Sequence, residues 1–249
     1  MICTDNKRIC QTLAAIALMA LAACDEAEPV APSVFEATGE LIALSGGDAG
    51  AVGACVTCHG LQGQGDGNLS PRLAGLDAGY IARQLEYFSA GQRRHPQMSW
   101  IAARLDWRAR VKVANHYAAL PVPEEEEGEF LSVAACSPAI ARLYQQGDAV
   151  REIEACAVCH GANARGVGAG NPPLAGQPAP YLVRQLENWR SGERYGDPLD
   201  AMTHVSRLLS AAELVPLAEY SAHLTDANGR REPRAICPLT RRRDPRSGA

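Results

Sequence analysis

From residue 36 onward, apolar positions recur at three- and four-residue spacing in short stretches. No run of any length alternates between apolar and polar, so the chain predicts helices and no strands. One stripe of Ile81, Leu85 and Phe88 follows Asp77, a residue suited to an N-cap, and stops near Gly91. A second, Leu182, Leu186 and Trp189, stops near Gly192. A shorter helix is expected ahead of each: about Glu36 to Leu44 with Leu41 and Leu44 inward, and about Pro138 to Gln146 with Ile140, Leu143 and Tyr144 inward. A last helix is expected after each stripe. In the second case Ser210-x-x-Glu213 forms a capping box, Leu214, Leu217, Ala218 and Leu224 give the apolar face, and Pro216 predicts a kink.

The longest apolar run lies elsewhere. Ile9 to Ala23 follows Lys7 and Arg8 and reads as the apolar part of a secretory leader. It ends Leu21-Ala22-Ala23-Cys24, which resembles a bacterial lipobox with Cys24 as the lipid-bearing first residue of the mature chain. The acidic, proline-containing Asp25 to Ser33 suits a solvated tether. Asp25 after that cysteine resembles an inner-membrane retention signal, so the expected location is the periplasm, anchored to the inner membrane. After Ala23 nothing approaches the ~18 apolar residues of a spanning helix.

The chain has 249 residues, enough for about two domains of ordinary size. Only 5% of residues are aromatic, so two cores filled by side chains alone would be thin. The net charge of -4 argues against a dedicated nucleic-acid binder. Charge is uneven: 8 basic and 14 acidic residues from Asp25 to Gly128, against 14 basic and 13 acidic from Glu129 to Ala249. Such a molecule could present different faces to two partners.

Cysteine usage changes the picture most. Cys55-Val56-Thr57-Cys58-His59 and Cys156-Ala157-Val158-Cys159-His160 are two copies of C-x-x-C-H, the attachment signature of c-type haem. Thiols at i and i+3 share a helical face and can form thioethers with the two haem vinyl groups, and the next residue, His, supplies a nitrogen to the iron. A thioredoxin-like pair or half of a zinc site would use one copy of C-x-x-C, whereas here the motif recurs with its histidine. With Cys3 and Cys10 in the leader and Cys24 on lipid, Cys136 and Cys237 remain and are expected to pair as a disulfide. The rivals are free thiols or an intermolecular bridge through Cys237.

The two motifs lie 101 residues apart, and much else recurs at that offset: Leu73-Ala74-Gly75 with Leu174-Ala175-Gly176, Tyr80 with Tyr181, Arg83-Gln84-Leu85-Glu86 with Arg184-Gln185-Leu186-Glu187, and Arg93 with Arg194. This is a tandem duplication. Pro121-Val122-Pro123 and Glu124 to Glu127 form the expected linker. Beyond the leader the chain has two methionines, Met98 and Met202, one per repeat, each on an expected loop between the middle and last helices. They are the candidate sixth ligands, with His95 and His204 as alternates; His116 and His223 read as surface or core residues.

These residues together resemble the cytochrome c4 family. The resemblance implies an all-α fold of two tandem class I cytochrome c domains related by a pseudo-two-fold axis. The resemblance spans about Glu36 to Leu224, and the chain is expected to divide into a leader 1–23, tether 24–35, first domain 36–120, linker 121–135, second domain 136–227 and an Arg-rich tail 228–249 that is not part of the family pattern. It implies two covalent haem c groups, with iron held by His59 and Met98 and by His160 and Met202. It also implies that the carbonyls of Pro71 and Pro172 accept from the proximal histidines. The implied function is electron transport from a quinol-oxidising complex to a terminal oxidase, with redox proteins as partners. Two alternatives are a cytochrome subunit of a periplasmic dehydrogenase and a dihaem enzyme of the peroxidase or thiosulfate dehydrogenase type. The latter needs an iron with an open position.

Overall fold

The computed structural model describes residues 37–123, 132, 134–195, 197 and 199–224. The leader, Cys24 and the tether, Glu124 to Glu127, and the Arg-rich tail with Cys237 lie outside these residues. Among the described residues, regular structure is helical apart from two short 3-10 turns and two isolated bridges, and no helix is long and apolar enough to cross a membrane. The first repeat contains α1 (Gly39–Ser45), α2 (Val56–His59), α3 (Ala78–Ser89), α4 (Pro96–Ala102) and α5 (Trp107–Ala119). The second contains α6 (Pro138–Gln146), α7 (Cys156–His160), α8 (Ala179–Ser191), α9 (Ala201–Leu208) and α10 (Ala211–Ala222).

The packing repeats as the sequence does. Helix α5 receives α1 and α3, and α10 receives α6 and α8; α4 lies on α3 and α9 on α8. Asp77 caps α3, accepting from the Tyr80 N–H at 2.7 Å, and Ile81, Leu85 and Phe88 are buried as their spacing predicts. Helix α6 buries Ile140, Leu143 and Tyr144, and α8 buries Leu182 and Trp189, with Leu186 half-buried. The capping box at the start of α10 forms. Pro216 lies inside α10, yet the helix runs on to Ala222; the carbonyl that loses its donor belongs to exposed Ala212.

Two expectations are corrected. Leu41 and Leu44 do not face the core: they are 51% and 47% exposed, while Ile42 and Ala43 are buried. Thr38 caps α1 at Leu41 N–H, and the helix meets α5 so closely that a Cβ on Gly39 would lie 2.1 Å from the Lys112 carbonyl oxygen. The contact face is therefore Gly39, Ile42 and Ala43, two of them too small for an apolar stripe to reveal. Met98 and Met202 sit on short helices, α4 and α9, not on loops. His95 N-caps α4, its Nδ1 accepting from Met98 N–H at 3.3 Å, and Pro96 suits the first helical position.

An ion-pair cluster ties α10 to the turn before α7. Both outer nitrogens of Arg151 donate to Glu213, at 3.0 and 2.8 Å, and its Nε donates to Asp148 at 2.6 Å. Glu213 also accepts from Ser210 N–H at 2.7 Å. The Arg151 hydrogen bonds hold the Glu213 carboxyl at about 2. A group depressed in the folded state stabilises above its unfolded pKa and loses that contribution as the pH falls through the folded value. Glu213→Gln is therefore expected to cost about 1–2 kcal/mol near neutrality, the range of a lost cap. The gap from wild type should close towards pH 2. Denaturant midpoints of the two proteins at several pH values check this.

Candidate functional site: two haem crevices in one cavity

Each C-x-x-C-H begins at the end of an irregular segment and turns once as a helix, which brings its two cysteines and histidine to one side. His59 and His160 are buried. In each, the ring Nδ1 lies 2.9 Å from a proline carbonyl, Pro71 in the first repeat and Pro172 in the second. Burial lowers both imidazole pKa values, against the opposing pull of that carbonyl, so the rings are neutral. With the proton on Nδ1 donated to proline, Nε2 carries the free lone pair. Burial pushes the Cys55 thiol up and the Cys156 thiol to about 11. A redox nucleophile or zinc thiolate is instead favoured by a lowered value. Among the described residues no three His, Cys, Asp or Glu side chains gather as an ion site.

All six motif residues, both methionines and both prolines line one continuous cavity of about 1410 Å³. Ordinary small-molecule pockets run to about 300–1,000 Å³. Its walls are largely apolar: Leu85, Phe88 and Val113 in the first repeat, Leu186, Leu209 and Leu217 in the second. The thin aromatic core noted in the sequence is thus accounted for by space between the helices. Such a space fits a large flat apolar group tethered at Cys55 and Cys58, and another at Cys156 and Cys159. His59 and His160 would supply one side of each iron, and Met98 and Met202 the other. Bound haem contributes a one-electron iron couple. His95 also lines the cavity, but its Nδ1 is engaged by Met98 N–H; His204 does not line it and points to the Glu152 carbonyl at 3.4 Å.

The methionine helices are held from behind. Arg110 of α5 donates through Nε and one outer nitrogen to the Ala102 carbonyl at the end of α4, at 3.3 and 3.0 Å, and pairs with Glu86. In the second repeat Arg190 of α8 does the same work, donating to the carbonyls of Ser206 and Leu209 at 2.9 and 2.6 Å. These arginines come from different helices and share no offset, so the repeat comparison could not find them. Met202 N–H is met by Asp197 at 2.7 Å, in place of the histidine cap used in the first repeat.

The first thioether cysteine has a tyrosine beside it in each repeat, again from different helices. Tyr117 of α5 is fully buried, with its hydroxyl against Cys55. In the second repeat Tyr144 of α6 lies near Cys156 and donates to the Gly161 carbonyl at 2.9 Å. At the 101-residue offset Tyr144 corresponds to Ala43; at the 104-residue offset of the methionines, Tyr117 corresponds to Ser221. One large and one small residue have exchanged places.

The repeats meet along Arg93 and Arg194, which form an antiparallel bridge flanked by Arg94 N–H to the Glu193 carbonyl (2.9 Å) and Tyr195 N–H to the Gln92 carbonyl (2.7 Å). Elsewhere Arg72 N–H donates to Gln177 (3.1 Å), whose amide returns a bond to the Arg72 carbonyl (2.9 Å). Cys136 is disulfide-bonded; the expected partner, Cys237, lies outside the described residues.

Comparison with known proteins agrees with this geometry. Residues 141–222 match the family Cytochrome c. The chain is 42% identical over 192 residues to the thiosulfate dehydrogenase electron acceptor of Stutzerimonas stutzeri, covering 76% of this chain and 87% of that protein. It is 33% identical to cytochrome c4 of Thiocapsa roseopersicina, covering 70% and 88%. Among solved structures it is similar to thiosulfate dehydrogenase TsdBA from Marichromatium purpuratum. The TM-score there is 0.64 at 42% identity, covering 74% of this chain but only 39% of that longer one. The duplicated C-x-x-C-H motifs, the paired crevices and these similarities lead to one conclusion: the chain belongs to the cytochrome c4 family of dihaem class I c-type cytochromes and carries two covalently bound haem c groups.

Proposed function

We propose that this chain is an electron carrier that accepts electrons from a thiosulfate-oxidising dehydrogenase and passes them to the respiratory chain. The observation that carries this reading is the 42% identity to a thiosulfate dehydrogenase electron acceptor over 87% of that protein's length. The similar stretch in the thiosulfate dehydrogenase TsdBA is joined to further chain, which supports a dehydrogenase as the neighbour. The chemistry is in keeping with a carrier. A thioether and an imidazole on each iron leave no open position, and His/Met ligation favours the ferrous state relative to His/His. Covalent attachment keeps the haem with a protein exported from the cytoplasm.

The test mixes oxidised, haem-loaded protein with thiosulfate, with and without a thiosulfate dehydrogenase. Both haems are expected to be reduced only when the dehydrogenase is present. Reduction by thiosulfate alone would make the chain itself the enzyme. Failure with the dehydrogenase, and reduction by a quinol-oxidising complex, would return it to the general respiratory role that the similarity to cytochrome c4 suggests.

We further propose that Cys24 is lipidated and holds the mature protein at the periplasmic face of the inner membrane. The support is the Leu21-Ala22-Ala23-Cys24 sequence and the acidic stretch behind it. Cys24→Ala should move the haem-containing protein from the membrane to the soluble periplasmic fraction; retention in the membrane contradicts the anchor.

A further inference from the structure

Pro71 and Pro172 meet their histidines at the same 2.9 Å, but the two carbonyls belong to different kinds of peptide. The residue after Pro71 is Arg72. At the 101-residue offset it matches Pro173, the residue after Pro172. One planar peptide unit joins the carbonyl of a residue to the nitrogen of the next. The Pro71 carbonyl therefore shares its unit with an N–H, and the Pro172 carbonyl shares its unit with a proline nitrogen that carries no hydrogen.

The Arg72 N–H is used, and by the other repeat. It donates to Oε1 of Gln177 at 3.1 Å, while Nε2 of Gln177 donates back to the Arg72 carbonyl at 2.9 Å. These two partners fix which way the amide faces, since an N–H meets only its oxygen and a carbonyl only its nitrogen. Both ends of the contact are held. Gln177 N–H donates to the Leu174 carbonyl at 3.1 Å, and the Arg72 guanidinium donates to the carbonyls of Ala74, Ala175 (3.1 Å) and Gly176 (3.3 Å). Arg72 and Gln177 are only 5% and 6% exposed, so water competes little. The first-repeat residue that matches Gln177 is Leu76, which has no side-chain acceptor.

Hydrogen bonds in a chain polarise one another in a water-poor interior. The chain here runs from Gln177 Oε1 through the Arg72 N–H and the Pro71 carbonyl to Nδ1–H of His59. An acceptor on the N–H side of an amide moves charge towards its carbonyl oxygen and makes that oxygen a better acceptor. A better acceptor at Nδ1 makes the imidazole a more basic ligand. A more basic ligand favours ferric over ferrous iron.

We propose that Gln177, in the second repeat, is a positioning residue for the iron of the first: it holds and polarises the Pro71–Arg72 peptide, strengthens the His59 hydrogen bond and lowers that iron's reduction potential. His160 lacks the relay because Pro173 has no N–H. The contact between the repeats thus acts on one haem and not on the other. The proposal rests on the two haems and not on the identity of the electron donor.

The experiment is a redox titration of haem-loaded Gln177→Met and Gln177→Glu, followed by NMR so that the Met98 and Met202 methyl signals tell the two irons apart. Gln177→Met keeps the length of the side chain and removes the acceptor. It is expected to raise the midpoint potential of the His59 iron and leave that of the His160 iron in place. In the reduced protein it should also move the His59 Nδ1–H resonance upfield, with that of His160 unchanged. Gln177→Glu keeps an oxygen for the Arg72 N–H, so the potential of the His59 iron should stay at or below its wild-type value. A His59 iron whose potential does not rise in Gln177→Met, or rises in Gln177→Glu, or two irons that rise together, would overturn the proposal. A packing role alone would lower stability and leave the His59 resonance where it was. The wild-type protein gives an independent check if a variant does not load haem: its His59 Nδ1–H resonance should lie downfield of that of His160, and coincident resonances would overturn the relay.

Discussion

Met98→Ala and Met202→Ala should each abolish one of the two thioether-to-iron charge-transfer signals of the oxidised protein while both haems stay attached. The attachment bonds run through Cys55 and Cys58 or Cys156 and Cys159, and not through the methionine helix. The altered iron should bind carbon monoxide, and its potential should fall by a sizeable share of the roughly 0.8 V that axial ligands span. The other iron should keep its signal, because α4 and α9 are held separately, by Arg110 and by Arg190. A wild-type spectrum with a single such signal, unchanged by Met98→Ala, would show that another group, His95 in the first repeat, closes that iron.

The largest stability effect is expected at Tyr117. Truncating a fully buried ring of this size costs about 3–5 kcal/mol when neighbours relax only partly, and Tyr117→Ala should show it as loss of the first repeat's folded signal at lower denaturant. The second repeat suggests how to recover it. There the small residue is Ser221 and the large one Tyr144, so Ala43→Tyr combined with Tyr117→Ser should cost less than the sum of the two single changes. Gly63 reports on the same contact. Its φ is +67°, and an added Cβ would lie 2.8 Å from the Tyr117 ring. At the matching position Ala164 carries a Cβ at φ +58° and is fully buried. Gly63→Ala should therefore be less damaging alongside Tyr117→Ser than in wild type. Equal penalties in both backgrounds would contradict the exchange.

Much of this was legible before the structure because it is local or repeated. A C-x-x-C-H pentapeptide carries its chemistry in its own spacing, and Asp77 with Ile81, Leu85 and Phe88 describes a capped amphipathic helix without outside help. The 101-residue offset turned two such sites into one duplicated molecule. What escaped depends on contacts between distant segments. The inner face of α1 is built from Gly39 and Ala43, whose value is closeness to α5 and not hydrophobicity. The methionine segments looked like loops because Pro96 and the neighbouring arginines read as breakers; Pro96 instead starts a helix that His95 caps. The tyrosine exchange and the Arg72–Gln177 contact have no counterpart at the repeat offset, so comparing the two halves hid them. Arg93 and Arg194 were visible as a matched pair, but their meeting across the repeats could be seen only in three dimensions.

The central claim is that two covalently held haems, each closed by a methionine, sit in one cavity of this chain. A spectroscopic redox titration of the purified, haem-loaded protein tests it most directly, since it counts haems and reports their ligation together. The account predicts two one-electron steps, with a thioether-to-iron band in the oxidised spectrum for each. A single step, or an oxidised spectrum in which either iron is high-spin and lacks that band, would contradict it.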